Sequence, residues 1–266
     1  VYEVAERRAA RRCHVIVSVA DAMTREFLRR GIGTPDQYVT VRSGMEIEPF
    51  LQAAPGQDRA SVRRALNLGD EHFVIGTVAR LAQHKGHDDL LDALGADLKA
   101  RPHWRLLWVG DGWWRDRLLA RVNALGVRDQ VILTGLVPPE RIPGLMRAMD
   151  VLAHPSYREG LPRTVPQALL AGTCPVAYDA DGTREACVPP GPGETGLKSG
   201  TGLLVPVGDR AGLRAAIHRL ANDPHERAAL AQRGQAWAAG EFSAARMVGD
   251  LEAVYVRALS LASRRA

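Results

Sequence analysis

The feature that most restricts this chain is a rhythm. From residue 73 to residue 207, apolar runs of strand length alternate with helical patterns. "FVIGTVA" (73–79) precedes "GHDDLLDALGADLKA" (86–100), and "RLLWVG" (105–110) precedes "WWRDRLLARVNALG" (113–126). "QVILTG" (130–135) precedes "PERIPGLMRAM" (139–149), and "DVLAHP" (150–155) precedes a short helix at 165–172. "CPVAYD" (174–179) and "GLLVPV" (202–207) complete the set. Strand, helix and strand joined by short loops predict an α/β fold, a Rossmann-like parallel sheet with helices on both faces. The strands are continuously apolar, as strands buried on both sides must be. Beyond residue 208 the pattern is helical, over 209–222, 224–239 and 244–262.

The first fifty residues read as the end of another α/β unit. A basic helix (1–11) leads to "HVIVSVA" (14–20), a helix (21–31) and a short strand "YVTVR" (38–42). Two strands cannot close a sheet, so the expectation is a remnant of an N-terminal Rossmann-like domain with some 100–150 further residues upstream. The predicted domains are 1–50, 51–243 and a last helix within 244–266. Residues 51–72 read as a polar linker and a helix, and "VPPGPGETGLKSGTG" (188–202) as a long mobile loop. No internal repeat is visible.

Composition narrows the function. Of 266 residues, 46% are apolar and 24% charged, ordinary values for a globular protein. No apolar run approaches about 18 residues, and the start has no signal-peptide pattern, so a cytoplasmic protein is expected. Cys13, Cys174 and Cys187 show no metal spacing, and their odd number suits a reducing compartment. Net charge is +5 with a pI near 9.4, which fits nucleic acid, anionic lipid or a phosphate-bearing ligand. Arginines are spread along the chain and aromatics make up only 5%, so no stacking platform for nucleic acid is expected. Helix 1–11 reads as a solvated basic face, with contact to an anionic membrane surface as the alternative.

Open parallel sheets bind ligands beyond the carboxyl ends of their strands. "GTVARLAQHKG" puts Arg80 just past one strand and Lys85 at the next helix start; "EGLPRTVP" and "DADGTRE" (179–185) follow two others. Two cations, an acid and a helix N-terminus on one rim would suit a diphosphate. Lysine is rare here, at positions 85, 99 and 198 alone. Plainer readings stand beside this one. Arg80 and Lys85 also read as a solvated loop pair, and Glu159 as a surface acid paired with Arg158 or Arg163. Thr164 and Gln167 fit a capping box, with Pro166 in the first turn. For His84, His87 and His154, solvent or backbone contact is the preferred reading; their spacing is not that of a metal site. Gly110 and Gly112 make a G-x-G, but Arg115 stands where a dinucleotide fingerprint needs its third glycine.

Six pieces in order resemble the C-terminal half of a family 4 glycosyltransferase of the GT-B fold: "GTVARLAQHKG", "LLWVGDG", "VILTGLVP", "MDVLAHPSYREGLPRTVPQALLAG", "PVAYDADGTREA" and "TGLLVPVGD". "SVADAMTREFL" and "VTVRSGMEIEPF" resemble the end of that family's N-terminal domain, and the last helix the one that crosses back onto it. The resemblance implies hexose transfer from a nucleotide-diphosphate sugar to a glycan, lipid-linked sugar or other small acceptor. It implies retained configuration, no metal and no separate cofactor. Arg80 and Lys85 would hold the diphosphate and stabilise the leaving charge. Glu159 would bond a sugar hydroxyl. Backbone from Gly160 through Leu161, Arg163 and Thr164 to Val165 would meet sugar and phosphates, and Leu136 and Val137 would edge the base.

Two residues depart from the pattern. The family pairs Glu159 with a glutamate eight residues on, which holds the ribose; here Gln167 stands there, a change costing about 1 kcal/mol, or several-fold in affinity. Pro162 replaces a common glycine and offers no N–H. The family's acceptor pocket lies in its N-terminal domain, so the chain alone is expected to bind nucleotide and transfer little. A non-catalytic nucleotide-sugar binding module and a sugar-nucleotide epimerase of related fold are the alternatives.

Overall fold

The computed structural model describes residues 2–263. Helix α1 (Tyr2–Ala10), strand β1 (Ile16–Ser18), helix α2 (Asp21–Arg29) and strand β2 (Tyr38–Thr40) form the first unit. Here β1 and β2 pair in parallel, with Ile16 opposite Tyr38 and Ser18 opposite Thr40. Short helices α3 (Glu48–Leu51) and α4 (Arg59–Ala65) follow.

The main sheet then unfolds in the expected order. It comprises β3 (Phe73–Val78), α5 (His87–Ala100), β4 (Trp104–Val109), α6 (Arg115–Ala124), β5 (Val131–Leu133) and α7 (Ile142–Arg147). It continues through β6 (Val151–His154), α8 (Thr164–Leu170), β7 (Cys174–Tyr178) and β8 (Leu203–Val205). Helices α9 (Arg210–Asn222), α10 (Pro224–Glu241) and α11 (Ala244–Ser263) close the described chain. The last three residues of the segment expected at 244–266, and Val1 of the first helix, lie outside the described residues.

All six strands are parallel, in the order β5-β4-β3-β6-β7-β8. The chain works outward from β3 to β5, returns to β6 and works outward the other way. Adjacent β3 and β6 therefore bracket the switch point, where an open sheet leaves a crevice at its carboxyl edge. Alternation along each strand builds two cores. Ile75, Leu106, Trp108, Val151 and Tyr178 face α5, α6 and α9; Val74, Leu107, Val109 and Leu152 face α7, α8 and the end of α10. Burial on both sides is why the strands carry no polar alternation.

Two segments differ from their sequence reading, and the G-x-G set aside as a dinucleotide fingerprint gains a structural reason. The polar stretch 51–72 holds a buried arginine, Arg63, which donates to the carbonyls of Gly69, His72 and Ala148 and to Asp150. The loop 188–202, read as mobile, is anchored. The Arg233 guanidinium donates to the carbonyls of Gly196, Leu197, Ser199 and Gly200, and Glu226 accepts the Gly196 N–H. The G-x-G after β4 serves packing: a Cβ at Gly110 or Gly112 would lie 2.2 Å from the Ala79 oxygen or 2.3 Å from the Leu81 oxygen. Those glycines let the β3 and β4 loops lie backbone to backbone, with Leu81 N–H on the Asp111 carbonyl at 3.0 Å.

The first unit is tied to the rest of the described chain at several places. Glu185, past β7, accepts the backbone N–H groups of Asp21 and Ala22 at 2.9 and 2.8 Å and so caps α2. Met45 bridges Ser243 just before α11, and Arg257 on α11 donates to the Asp36 carbonyl. Among the described residues, no helix is long and apolar enough to cross a membrane.

Candidate functional site

The loops after β3 and β6 are laced together at the switch point. His84 accepts the Tyr157 N–H at 2.9 Å and the Ser156 hydroxyl at 3.2 Å on its carbonyl. Gly86 makes this approach achievable. It has φ +71°, and a Cβ there would sit 1.9 Å from the Pro155 oxygen.

The Lys85 ammonium meets Glu159 Oε1 at 2.6 Å. His154, the last residue of β6, brings Nε2 to 3.2 Å from the same oxygen, off the line of an ideal hydrogen bond. Its Nδ1 lies 3.2 Å from the Thr164 hydroxyl at the start of α8. The Glu159 N–H donates to Asp181 Oδ2 at 2.9 Å. Asp181 itself has φ +45°, a left-handed backbone that is uncommon outside glycine, although aspartate tolerates it better than most residues. Burial alone would push the Glu159 carboxyl up. The adjacent His154 ring, with the Lys85 and Ser156 contacts, outweighs it and holds the carboxyl down at about 2.

This depressed value carries a sign. Glu159 contributes stability that is fully present above its ordinary value of 4.5 and is lost as pH falls toward 2. Urea midpoints of the wild type and Glu159→Gln are expected to differ at pH 6 and to converge across that window. A difference that persists unchanged below pH 3 would contradict the pairing.

The structure divides the sequence candidates between two hollows with no lining residue in common. Arg80, Leu136 and Val137 line a hollow of about 250 Å³ with Gly110 and Asp111. Arg80 is exposed, and its guanidinium lies 5.5 Å from the centre of the Trp113 ring. Leu136 is 83% exposed, a large apolar side chain left at the mouth. Glu159 and Gly160 line a second hollow of about 400 Å³, whose other wall is Met23 and Phe27 of α2. Lys85 is therefore not a free cation beside Arg80; its charge is already matched by Glu159.

Several single-residue readings change. Glu159 pairs with Lys85 and His154, not with Arg158 or Arg163; Arg158 reaches Asp181 instead, at 3.7 Å. The capping box does not form. Arg163 occupies the cap position without a side-chain bond, and Thr164 is the first helical residue, turned toward His154. Gln167 is half-buried and on the same seven-residue helix. Val165 is fully buried, so only its backbone can face a ligand; Leu161 is half-buried and packs on the core. Arg163 is exposed. His154 is not a solvent or backbone histidine but part of the cluster. His87 is buried against the edge of Trp108, and burial brings its imidazole down to about 4. His84 is exposed, as read. The roles of His154, Asp181 and Glu185 carry no local sequence signal beyond their places past β6 and β7. Among the described residues, no group of three or more His, Cys, Asp or Glu side chains is arranged to hold a metal ion.

Known proteins resemble this chain in sequence and fold. A 2-deoxystreptamine glucosyltransferase of Streptomyces kanamyceticus is 31% identical over 254 residues, covering 96% of this chain and 63% of that protein. A GDP-mannose-dependent monoacylated alpha-(1-6)-phosphatidylinositol monomannoside mannosyltransferase of Corynebacterium glutamicum is 28% identical over 247 residues, covering 89% and 61%. The chain thus spans about three-fifths of the length of these curated relatives. Anabaena Alr3699/HepE, crystallised with UDP, superposes with a TM-score of 0.82 at 25% identity over 95% of this chain and 66% of that one. The same protein has been crystallised with UDP-glucose. The family described as Glycosyl transferases group 1 matches residues 58–237, and this chain, with its GT-B fold, belongs to that family.

Proposed function

We propose that this chain is the donor-binding, C-terminal part of a family 4 glycosyltransferase. The enzyme would move a hexose from a UDP- or GDP-sugar to an acceptor with retention and without metal. Residues 1–50 would be the end of the acceptor domain, 51–243 the nucleotide-sugar domain and 244–266 the helix returning to the former. The observation that supports this best is the Lys85–Glu159–His154 cluster, which joins the loops after β3 and β6 at the switch point.

In this reading the base lies against Leu136 and Val137, and Arg80 meets the diphosphate together with Lys85. The bond from the anomeric carbon to the diphosphate oxygen breaks, and the acceptor oxygen bonds that carbon on the same face. The acceptor's proton leaves with the diphosphate. Cations stabilise the charge growing on the leaving group. Glu159 accepts from a sugar hydroxyl, and backbone N–H groups from Gly160 to Val165, Pro162 excepted, face sugar and phosphate. Gln167 touches the ribose with a neutral bond. UDP and UDP-glucose in HepE, and GDP-mannose in the name of the Corynebacterium relative, support a nucleotide-sugar donor.

Calorimetry with UDP, GDP and ADP tests this. Arg80→Ala is expected to weaken nucleotide binding by about 1–3 kcal/mol, the loss of a charged hydrogen-bond partner. Glu159→Ala is expected to leave free nucleotide nearly untouched while reducing sugar-nucleotide binding. Equal losses of free nucleotide in both variants would overturn the division of roles.

A further inference from the structure

We infer that His154 is a positioning residue that keeps Glu159 in place when Lys85 turns from it to the donor diphosphate. The inference rests on the donor-site reading above. In the structure, Lys85 and Glu159 satisfy one another at 2.6 Å. Their proposed roles pull them apart, since Glu159 must offer oxygen to a sugar hydroxyl while Lys85 must offer N–H to phosphate. A diphosphate competes for the ammonium with more than one negative charge. Once it wins, Glu159 is a largely buried carboxylate, its side chain only 13% exposed, without its strongest partner. Such a group either finds another donor or shifts away from the sugar.

His154 is that other donor. Its side chain is 4% exposed, and Nε2 has no aligned hydrogen bond of its own although it lies 3.2 Å from Oε1. A buried polar atom without a partner is unusual and calls for a reason. The other ring nitrogen supplies it. The Thr164 hydroxyl lies 3.2 Å from Nδ1. It is assigned here as donor to that nitrogen, the arrangement that leaves the imidazole proton on Nε2, facing the carboxylate. A small turn of the carboxylate as Lys85 leaves would align that N–H. The Glu159 backbone is meanwhile held by Asp181, so the acid pivots rather than departs. Thr164, His154 and Glu159 thus form a relay from the first turn of α8 to the sugar.

Two variants separate this role from mere packing. The amide nitrogen of glutamine reaches the position of Nε2, whereas that of asparagine reaches only Nδ1. Calorimetry would compare UDP with UDP-glucose, and GDP with GDP-mannose, on the chain. His154→Asn is expected to lower sugar-nucleotide affinity about five-fold, the scale of one neutral hydrogen bond, with free nucleotide within about two-fold. His154→Gln is expected to recover most of that loss. An asparagine variant that keeps both affinities, or a glutamine variant that recovers nothing, would overturn the inference. Wild-type chain that binds none of the four probes would instead defeat the reading of the site itself. Should the variants unfold, ¹⁵N spectra of histidine-labelled wild type decide. On adding UDP, the His154 Nε2–H resonance is expected to shift as its hydrogen bond forms, and an unmoved resonance at saturation would overturn the inference.

Discussion

Lys85→Met is expected to weaken UDP or GDP binding by at least about 3 kcal/mol, more than a hundred-fold. Two effects add. The first is loss of a charged hydrogen bond to phosphate, about 1.5–3 kcal/mol. The second comes from the residue left behind. Lys85 neutralises Glu159 at 2.6 Å, and methionine fills the space without the charge. The carboxylate then faces an incoming diphosphate with only His154 beside it. Two like charges about 4 Å apart repel by about 4 kcal/mol at an effective dielectric of 20, so even partial exposure of this repulsion to the ligand matters. Removing the repelling group tests the account. The double variant Lys85→Met, Glu159→Gln is expected to bind nucleotide more tightly than Lys85→Met alone, although Glu159→Gln by itself changes little. Calorimetric Kd values for the four proteins form a cycle whose coupling is the quantity of interest. Coupling near zero, or wild-type affinity in Lys85→Met, would show that the lysine only braces the acid.

The cycle also marks what was legible in the sequence. Strand order along the chain was readable because "FVIGTVA" and its successors are buried on both faces, and such burial keeps the runs predominantly apolar; Thr77 is buried in β3 with its hydroxyl satisfied by the Ala153 carbonyl. Placing Arg80, Lys85 and Glu159 on one rim needed only the rule that ligands meet strand ends. Which of them touch was not readable. Lys85 and Glu159 lie 74 positions apart, and they meet because β6 returns beside β3 and Gly86 lets the two loops close on each other. His154 was hidden for a related reason. A histidine ending an apolar strand looks like the first residue of a loop, and only the returning turn at 159–164 encloses it. Local propensity misled in the same stretch: Thr164 and Gln167 have the spacing of a capping box, but His154 takes the threonine hydroxyl one residue inside the helix.

Arg63 is the clearest instance of a residue whose chemistry points to solvent and whose position does not, and it sets the largest expected stability loss. Arg63→Met is expected to cost about 3–5 kcal/mol, a large part of the 5–15 kcal/mol typical of a domain. The side chain is 3% exposed. Its Nη1 donates to the Ala148 carbonyl at 3.1 Å, and its Nη2 to those of Gly69 and His72 at 2.8 and 2.5 Å. Each carbonyl left without a donor inside the protein costs about 1–3 kcal/mol, reduced where water or a small shift reaches it. Asp150 is not the source of the loss, because Arg59 and the Val74 N–H still hold it, each at 2.7 Å. Arg59→Met is therefore the matched control. Its side chain is 44% exposed, so solvent replaces what it donates, and a cost of no more than about 1 kcal/mol is expected. The loss at Arg63 reaches the site through the strand it braces. Asp150 immediately precedes β6, whose other end is His154, so loosening the 63–72 turn frees the base of the strand that aims the imidazole at Glu159. Urea unfolding at neutral pH decides the matter: similar midpoints for Arg63→Met and Arg59→Met would mean that water already serves those carbonyls and that the buried guanidinium is not what holds α4 to the sheet.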